Sequence, residues 1–160
     1  MFLCVCVLGA RCSVIGSGDQ VMVTCGSVVK LRHEPTGYHL HSHPIKWGGG
    51  SGQQSVTSHG SEDDQGSMWI VKEADGAMPC EVGEPIECGA AIRLEHVATG
   101  KNLHSHSFSS PLSRQQEVSC FGESGEGDNG DSWELQCVRK GEKKWTRGAA
   151  VKLKHANTQR

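Results

Sequence analysis

The chain has 160 residues, with 16 Lys and Arg against 18 Asp and Glu, a formal net charge of −2 and nine histidines. That near balance argues against a nucleic-acid binder, which carries a basic surplus or stripe. Glycine is abundant at 21 residues, aromatics make up only 5% and mean hydropathy is −0.43, so the chain reads as one turn-rich domain with a modest core.

In chain order, the first feature is the apolar run Phe2 to Ala10, followed by Arg11, Cys12 and Ser13. With small residues at Ala10 and Cys12 it reads as the h-region of a signal peptide, which assigns 1–18 to a signal peptide or its remnant; the other reading is a buried first strand. No stretch of about 18 apolar residues exists, so there is no room for a helical membrane span. Of the eight cysteines, Cys25, Cys80, Cys88, Cys120 and Cys137 lie beyond this segment, and no Cys-x-x-C pair is present to indicate a zinc ribbon or a redox motif.

Self-similarity dominates the remainder. Cys25-Gly26-Ser27-Val28-Val29-Lys30-Leu31-Arg32-His33-Glu34-Pro35-Thr36-Gly37 and the following Tyr38-His39-Leu40-His41-Ser42-His43 return 63 residues later, from Cys88-Gly89 through Leu94-Glu95-His96 and Thr99-Gly100 to Leu103-His104-Ser105-His106. Gln53-Gln54-Ser55-Val56-Thr57 is matched by Gln115-Gln116-Glu117-Val118-Ser119, and Trp69-Ile70-Val71 by Trp133-Glu134-Leu135. Repeat one therefore spans 25–80 and repeat two 88–137, while 148–160 reproduces the opening Leu-x-His-x-x-Thr frame in Leu153, His155 and Thr158.

Val29 and Leu31, like Ile92 and Leu94, alternate with polar neighbours, a period of two that predicts strands. Thr36-Gly37, the tract Gly48 to Gly52, Thr99-Gly100 and Asp128-Asn129-Gly130 supply turns between them. Repeats of about four short strands would close into an all-β barrel with threefold symmetry, over 19–160. With the third repeat represented by its first strand and turn, open strand edges and a partly uncovered core are expected.

The Leu-x-His-x-x-Thr-Gly-x-x-Leu-His-Ser-His frame, the Gln-Gln-x-Val that follows and the Trp closing each repeat resemble MIR motifs, the β-trefoil repeats of protein O-mannosyltransferases and of inositol trisphosphate and ryanodine receptors. More closely, the chain resembles the stromal cell-derived factor two family of small endoplasmic-reticulum luminal proteins. The resemblance implies a β-trefoil of MIR repeats and a non-catalytic binding module, luminal or secreted, in protein quality control. Its implied partners are a DnaJ-type co-chaperone, the luminal Hsp70, and unfolded or glycosylated client proteins. No cofactor is implied. Kinship with mannosyltransferase domains leaves a second reading, a carbohydrate-binding module for mannose or a glycosylated peptide, for which Tyr38 and Trp47 are the aromatic candidates.

Repeat register places Cys25 and Cys80 at the two ends of repeat one and Cys88 and Cys137 at the ends of repeat two. This favours the disulfides Cys25–Cys80 and Cys88–Cys137, with Cys120 left as a free thiol; a local Cys80–Cys88 bridge is the rival pairing. Candidate binding residues are the Leu-His-Ser-His hairpins, His41, Ser42, His43, His104, Ser105 and His106, with Gln53, Gln54, Gln115 and Gln116 beside them. A His-x-His pair can ligate zinc, but recurrence at one repeat position indicates a structural hairpin, so no metal site is assigned. Trp69 and Trp133 read as core plugs, and His33 and His96 as turn residues bonded to a hydroxyl three residues on. Lys140 to Arg147, which includes Trp145, reads as a connector. The acidic stretches around Asp64 and Asp131 read as solvated loops. No triad, zinc-protease or phosphate-loop motif is found, so no catalytic residue is assigned.

Overall fold

The computed structural model describes Leu3–Val7 and residues 21–160. The remaining part of the proposed leader lies outside the described residues. Ten strands are present among them: β1 (Leu3–Val7), β2 (Val28–His33), β3 (His39–Lys46), β4 (Gln54–His59), β5 (Trp69–Glu73), β6 (Ala91–His96), β7 (Asn102–Ser109), β8 (Gln116–Phe121), β9 (Trp133–Cys137) and β10 (Ala150–His155). Two 3-10 turns, Gln65–Ser67 and Asn129–Asp131, precede β5 and β9. The fold is all-β, as the alternation and the turn residues predict.

Antiparallel pairing runs β1-β10-β9-β6-β5-β2 and returns from β2 to β1, closing a six-stranded ring. Closure removes the exposed edges that the short third repeat led us to expect. The physical reason is that Leu3–Val7 occupies the place between β2 and β10 where an open edge would otherwise lie. Two hairpins, β3–β4 and β7–β8, stand off the ring and join each other through Gln54↔Cys120 and Ser55↔Ser119. Each carries a register shift at the same place, between Ser42 and Lys46 and between Ser105 and Ser109.

The alternating residues fill the ring: Val29, Leu31, Val71, Ile92, Leu94, Leu135 and Val151 are buried. The start of each repeat turns on a glycine with positive φ, Gly26 at 79° and Gly89 at 88°, whose amides reach the carbonyls of Val71 and Leu135. A side chain there would be strained in this left-handed conformation, which accounts for the Cys-Gly opening of both repeats. The cysteine before each glycine is disulfide-bonded to the end of its own repeat, Cys25 to Cys80 and Cys88 to Cys137, with Cα separations of 6.1 and 5.5 Å. Cys120 is free and buried.

One end of the barrel is closed by a triangle of backbone bonds absent from the sequence reading. Val23 N–H donates to Trp145, Trp145 N–H to Ile86 and Ile86 N–H to Val23, at 2.8, 2.8 and 3.0 Å. These three residues each stand three positions before a repeat's opening glycine, Gly26, Gly89 or Gly148, and all are buried, Val23 and Trp145 completely. The Lys140 to Arg147 stretch is thus a connector whose single tryptophan plugs the core. Truncating a fully buried tryptophan costs about 3–5 kcal/mol, whereas an exposed lysine in the same stretch costs under about 0.5 kcal/mol. Denaturant unfolding of Trp145→Ala beside Lys143→Ala is expected to show that difference.

Candidate functional site

The hairpins carry the histidine-rich motif, and the ring carries the histidines that bind repeats together. His33, His96 and His155 end β2, β6 and β10, and each places Nδ1 2.8 Å from the hydroxyl of Thr36, Thr99 or Thr158. In the latter two, Nε2 lies 2.9 and 3.0 Å from the carbonyls of Gly66 and Gly130. Their rings pack against Trp69 and Trp133, centroids 4.9 and 5.0 Å apart, and those indoles donate to the carbonyls of Leu40 and Leu103. Each repeat-closing Trp therefore joins the turn histidine of the next repeat to a hairpin. Burial lowers the pKa of His96 and of His155, opposed by the hydrogen bonds to Gly66 and Gly130, so both are held neutral.

In the first hairpin, Asp64 Oδ2 accepts from His41 Nδ1 at 2.7 Å and from Ser67 Oγ at 2.5 Å. His41 Nε2 is 2.9 Å from His43 Nδ1, and His43 Nε2 is 3.4 Å from Ser55 Oγ. In the second, His104 Nδ1 lies 2.9 Å from Asp131, a side chain with no solvent exposure, and His106 Nε2 lies 3.3 Å from the buried carboxylate of Glu117. Asp131 also accepts from Asn102 and from the Asp128 amide, closing a capping box on its 3-10 turn. Asp64 and Asp131 are thus not solvated loop residues. A 3-10 turn places each beneath a hairpin histidine, where burial of the carboxylate requires a charge-assisted partner.

The serines and second glutamines of the motif are internal braces. Gln54 Nε2 donates to Ser42 and to Thr99, and Gln116 Nε2 donates to Ser105 at 2.7 Å and lies 3.3 Å from His155 Nδ1. Ser42, Gln54, His104 and Ser105 are buried; His41, His43, His106, Gln53 and Gln116 are half-buried, and Gln115 is exposed. The structure gathers the ten candidate residues along two adjoining hairpins and leaves mainly His43, His106, Gln53 and Gln115 at the surface.

Beside them the sequence reading missed Ile45 and Phe108, which occupy equivalent positions two residues beyond His43 and His106. They are 63% and 57% exposed, and the Phe108 ring lies 4.8 Å from His106. Their signal was an apolar residue repeated at one motif position where the alternation points outward. Cys120 lies beneath this surface, and burial pushes its thiol up to about 12, which removes it as a nucleophile.

Of the carbohydrate candidates, Tyr38 is half exposed, whereas Trp47 donates its indole N–H to the Val118 carbonyl at 3.2 Å. The three donors His104, Asp128 and Asp131 lie within 4.8 Å of one another, but Asp131 and Asp128 are already used in capping the turn.

Burial alone would raise the pKa of Asp64; hydrogen bonds from Ser67 and His41 and the charges of His41 and His59 outweigh it and hold the carboxyl at about 2. Because the folded value lies below the ordinary 3.8, this stabilisation is full above about pH 4 and is lost as pH falls toward 2. Asp64→Asn is expected to lower stability by about 2 kcal/mol at pH 6 and to match the parent near pH 2, read by urea unfolding across pH.

With that geometry in place, comparison with known proteins is informative. The family model "MIR domain" matches residues 49–160. Mouse stromal cell-derived factor 2 is 49% identical over 152 residues, covering 95% of this chain and 70% of the relative. The stromal cell-derived factor 2-like protein of Arabidopsis thaliana is 45% identical over 147 residues, covering 91% of this chain and 66% of the relative. The crystal structure of the SDF2-like protein from Arabidopsis thaliana superposes with a TM-score of 0.82 at 45% identity, covering 87% of this chain and 76% of that one. A yeast structure, the protein O-mannosyltransferase Pmt1-Pmt2 complex bound to the sugar donor, matches with a TM-score of 0.74 and 29% identity over 90% of this chain and 21% of that one. Two disulfides in such a small chain fit a protein of the secretory pathway. No helix among the described residues is long and apolar enough to cross a membrane. The chain belongs to the MIR-domain family of stromal cell-derived factor 2 proteins.

Proposed function

We propose that this chain is a non-catalytic luminal adaptor in endoplasmic-reticulum protein quality control, built as a β-trefoil of MIR repeats. Over 19–160 it would comprise repeat one at 25–80, repeat two at 88–137 and part of a third at 148–160. Its partners would be a DnaJ-type co-chaperone, through it the luminal Hsp70, and unfolded or glycosylated clients. The identity of these partners rests on family membership. The observation that carries a protein-binding role is the outward pair Ile45 and Phe108, set at equal positions on two braced hairpins and flanked by His43 and His106. Exposed apolar side chains beside polar ones on a rigid support suit transient protein contacts, because little side-chain ordering is left to oppose association.

Kinship with the mannosyltransferase structure supports one second reading, binding of mannose or a mannosylated peptide. The two readings separate in one experiment, affinity isolation from a microsomal lumen extract with the full chain, with and without excess mannose. The adaptor reading expects retention of the DnaJ-type protein regardless of sugar. It also expects a loss of roughly tenfold or more for Ile45→Ser with Phe108→Ser, while the unfolding midpoint changes little. Release of retained glycoproteins by mannose, with the double variant unaffected, would replace it with the carbohydrate reading.

A further inference from the structure

The two repeats diverge where their closing strands end. In repeat two the disulfide cysteine is the last residue of the closing strand, Cys137, at the fifth position of β9. In repeat one the fifth position of β5 is Glu73, which pairs with Arg93 at 3.3 Å, and the cysteine comes only after the extra chain Ala74 to Pro79, as Cys80. The loop so formed lies against the Cys25-Gly26 opening, where β2 is about to begin, whereas the first hairpin follows the other end of β2 at His33. Loop and hairpin therefore stand at opposite ends of the ring.

The loop is held along its length. Asp75 N–H donates to Ser132 Oγ at 3.2 Å, and Ala77 N–H to the Ala74 carbonyl at 3.1 Å. Gly83 N–H donates to the Cys25 carbonyl at 3.0 Å, Cys25 N–H to the Glu84 carbonyl at 2.8 Å, and the Cys25–Cys80 disulfide ties the centre. On this support stand Met78 and Val82, one on each side of Cys80, 88% and 87% exposed, more than any other large apolar side chain among the described residues. The charge around them is of one sign: residues 73–87 include Glu73, Asp75, Glu81, Glu84 and Glu87 but no Lys or Arg. Asp75, Glu81 and Glu84 are exposed, and their carboxylates form no hydrogen bond or ion pair among the described residues.

We propose that the loop from Asp75 to Glu84 is a docking surface for a protein segment in which apolar residues stand beside Lys or Arg. Met78 and Val82 offer apolar area to be taken from water, and the unbranched thioether of Met78 adapts to side chains of different shape. The unpaired carboxylates of Asp75, Glu81 and Glu84 attract a basic segment and repel an acidic one, so charge complementarity fixes the class of occupant. Because the loop is already held by its bonds and disulfide, little backbone ordering opposes association. The surface is separate from the face of Ile45 and Phe108, and the inference is independent of the partners proposed above.

The probe is a short fluorescent peptide alternating Leu with Lys, titrated with the full chain and followed by anisotropy; control peptides alternate Leu with Glu and Ser with Lys. The Leu–Lys peptide is expected to bind at least about tenfold more tightly than either control. Met78→Ser with Val82→Ser is expected to weaken it about tenfold, and Glu81→Gln with Glu84→Gln about threefold or more. These four positions are exposed, so the unfolding midpoint of both variants is expected to stay at the parent value, and Ile45→Ser with Phe108→Ser is expected to leave peptide binding unchanged. Absence of binding, equal binding of either control, or an affinity unmoved by the loop substitutions would each overturn the proposal. So would self-association of the chain in sedimentation that Met78→Ser with Val82→Ser abolishes, because the occupant would then be a second copy.

Discussion

Closure of the six-stranded ring is the constraint on which the rest of this molecule depends. A short strand with an unpaired edge is poorly held, and strands of five or six residues carry little stability by themselves. Each therefore needs two neighbours, and the repeat supplies them by making its closing strand a bridge to the next opening strand. The junction is where the sequence motif is most strictly kept. Trp69 meets His96 and Trp133 meets His155 across directly opposed register positions, and the threonine hydroxyl and a glycine carbonyl fix each imidazole. A tryptophan that is buried but must place its N–H, and a histidine with two nitrogens to satisfy, solve each other's problem only if both stay in register.

That solution has a consequence for chemistry. Nine histidines suggest a reactive surface, yet burial holds His96 and His155 neutral in the core, and His41, His104 and His106 are committed to Asp64, Asp131 and Glu117. Imidazoles paired in this way hold conformation. Ile45 and Phe108 point outward within the irregularly paired stretches of the two hairpins, Ser42 to Lys46 and Ser105 to Ser109.

Much of this was legible in the sequence because it is repeated. The two-residue alternation around Val29 and Leu31 and around Ile92 and Leu94, the Cys-Gly openings and the His-to-Thr turn bonds all recur at fixed offsets, and recurrence separates a structural requirement from chance. What was not legible breaks that recurrence or acts at long range. Trp145 fills a place held by Val23 and Ile86 in the other repeats, so its basic neighbours masked it as a linker residue. Asp64 and Asp131 sit among other acids, and only the 3-10 turn beneath each hairpin separates the buried carboxylate from the solvated ones. The apolar run at 3–7 fits a leader and a strand equally well by composition, since periodicity cannot distinguish a short apolar helix from a buried strand.

The places where the two hairpins differ explain how they act as one surface. Ser55 of the first corresponds to Glu117 of the second, so His43 faces a hydroxyl and His106 a carboxylate. Glu117 is only 2% exposed, and a carboxylate in that position must be satisfied from nearby. Ser51, in the glycine-rich turn of the first hairpin, supplies its amide and its hydroxyl, while Trp47 on the same turn bonds the Val118 carbonyl. The flexible glycine tract is therefore anchored at its centre by a buried charge on its neighbour. One serine-to-glutamate difference between otherwise matching repeats adds a buried side-chain anchor to two hairpins already joined by β4–β8 pairing, and this bracing gives Ile45 and Phe108 fixed supports.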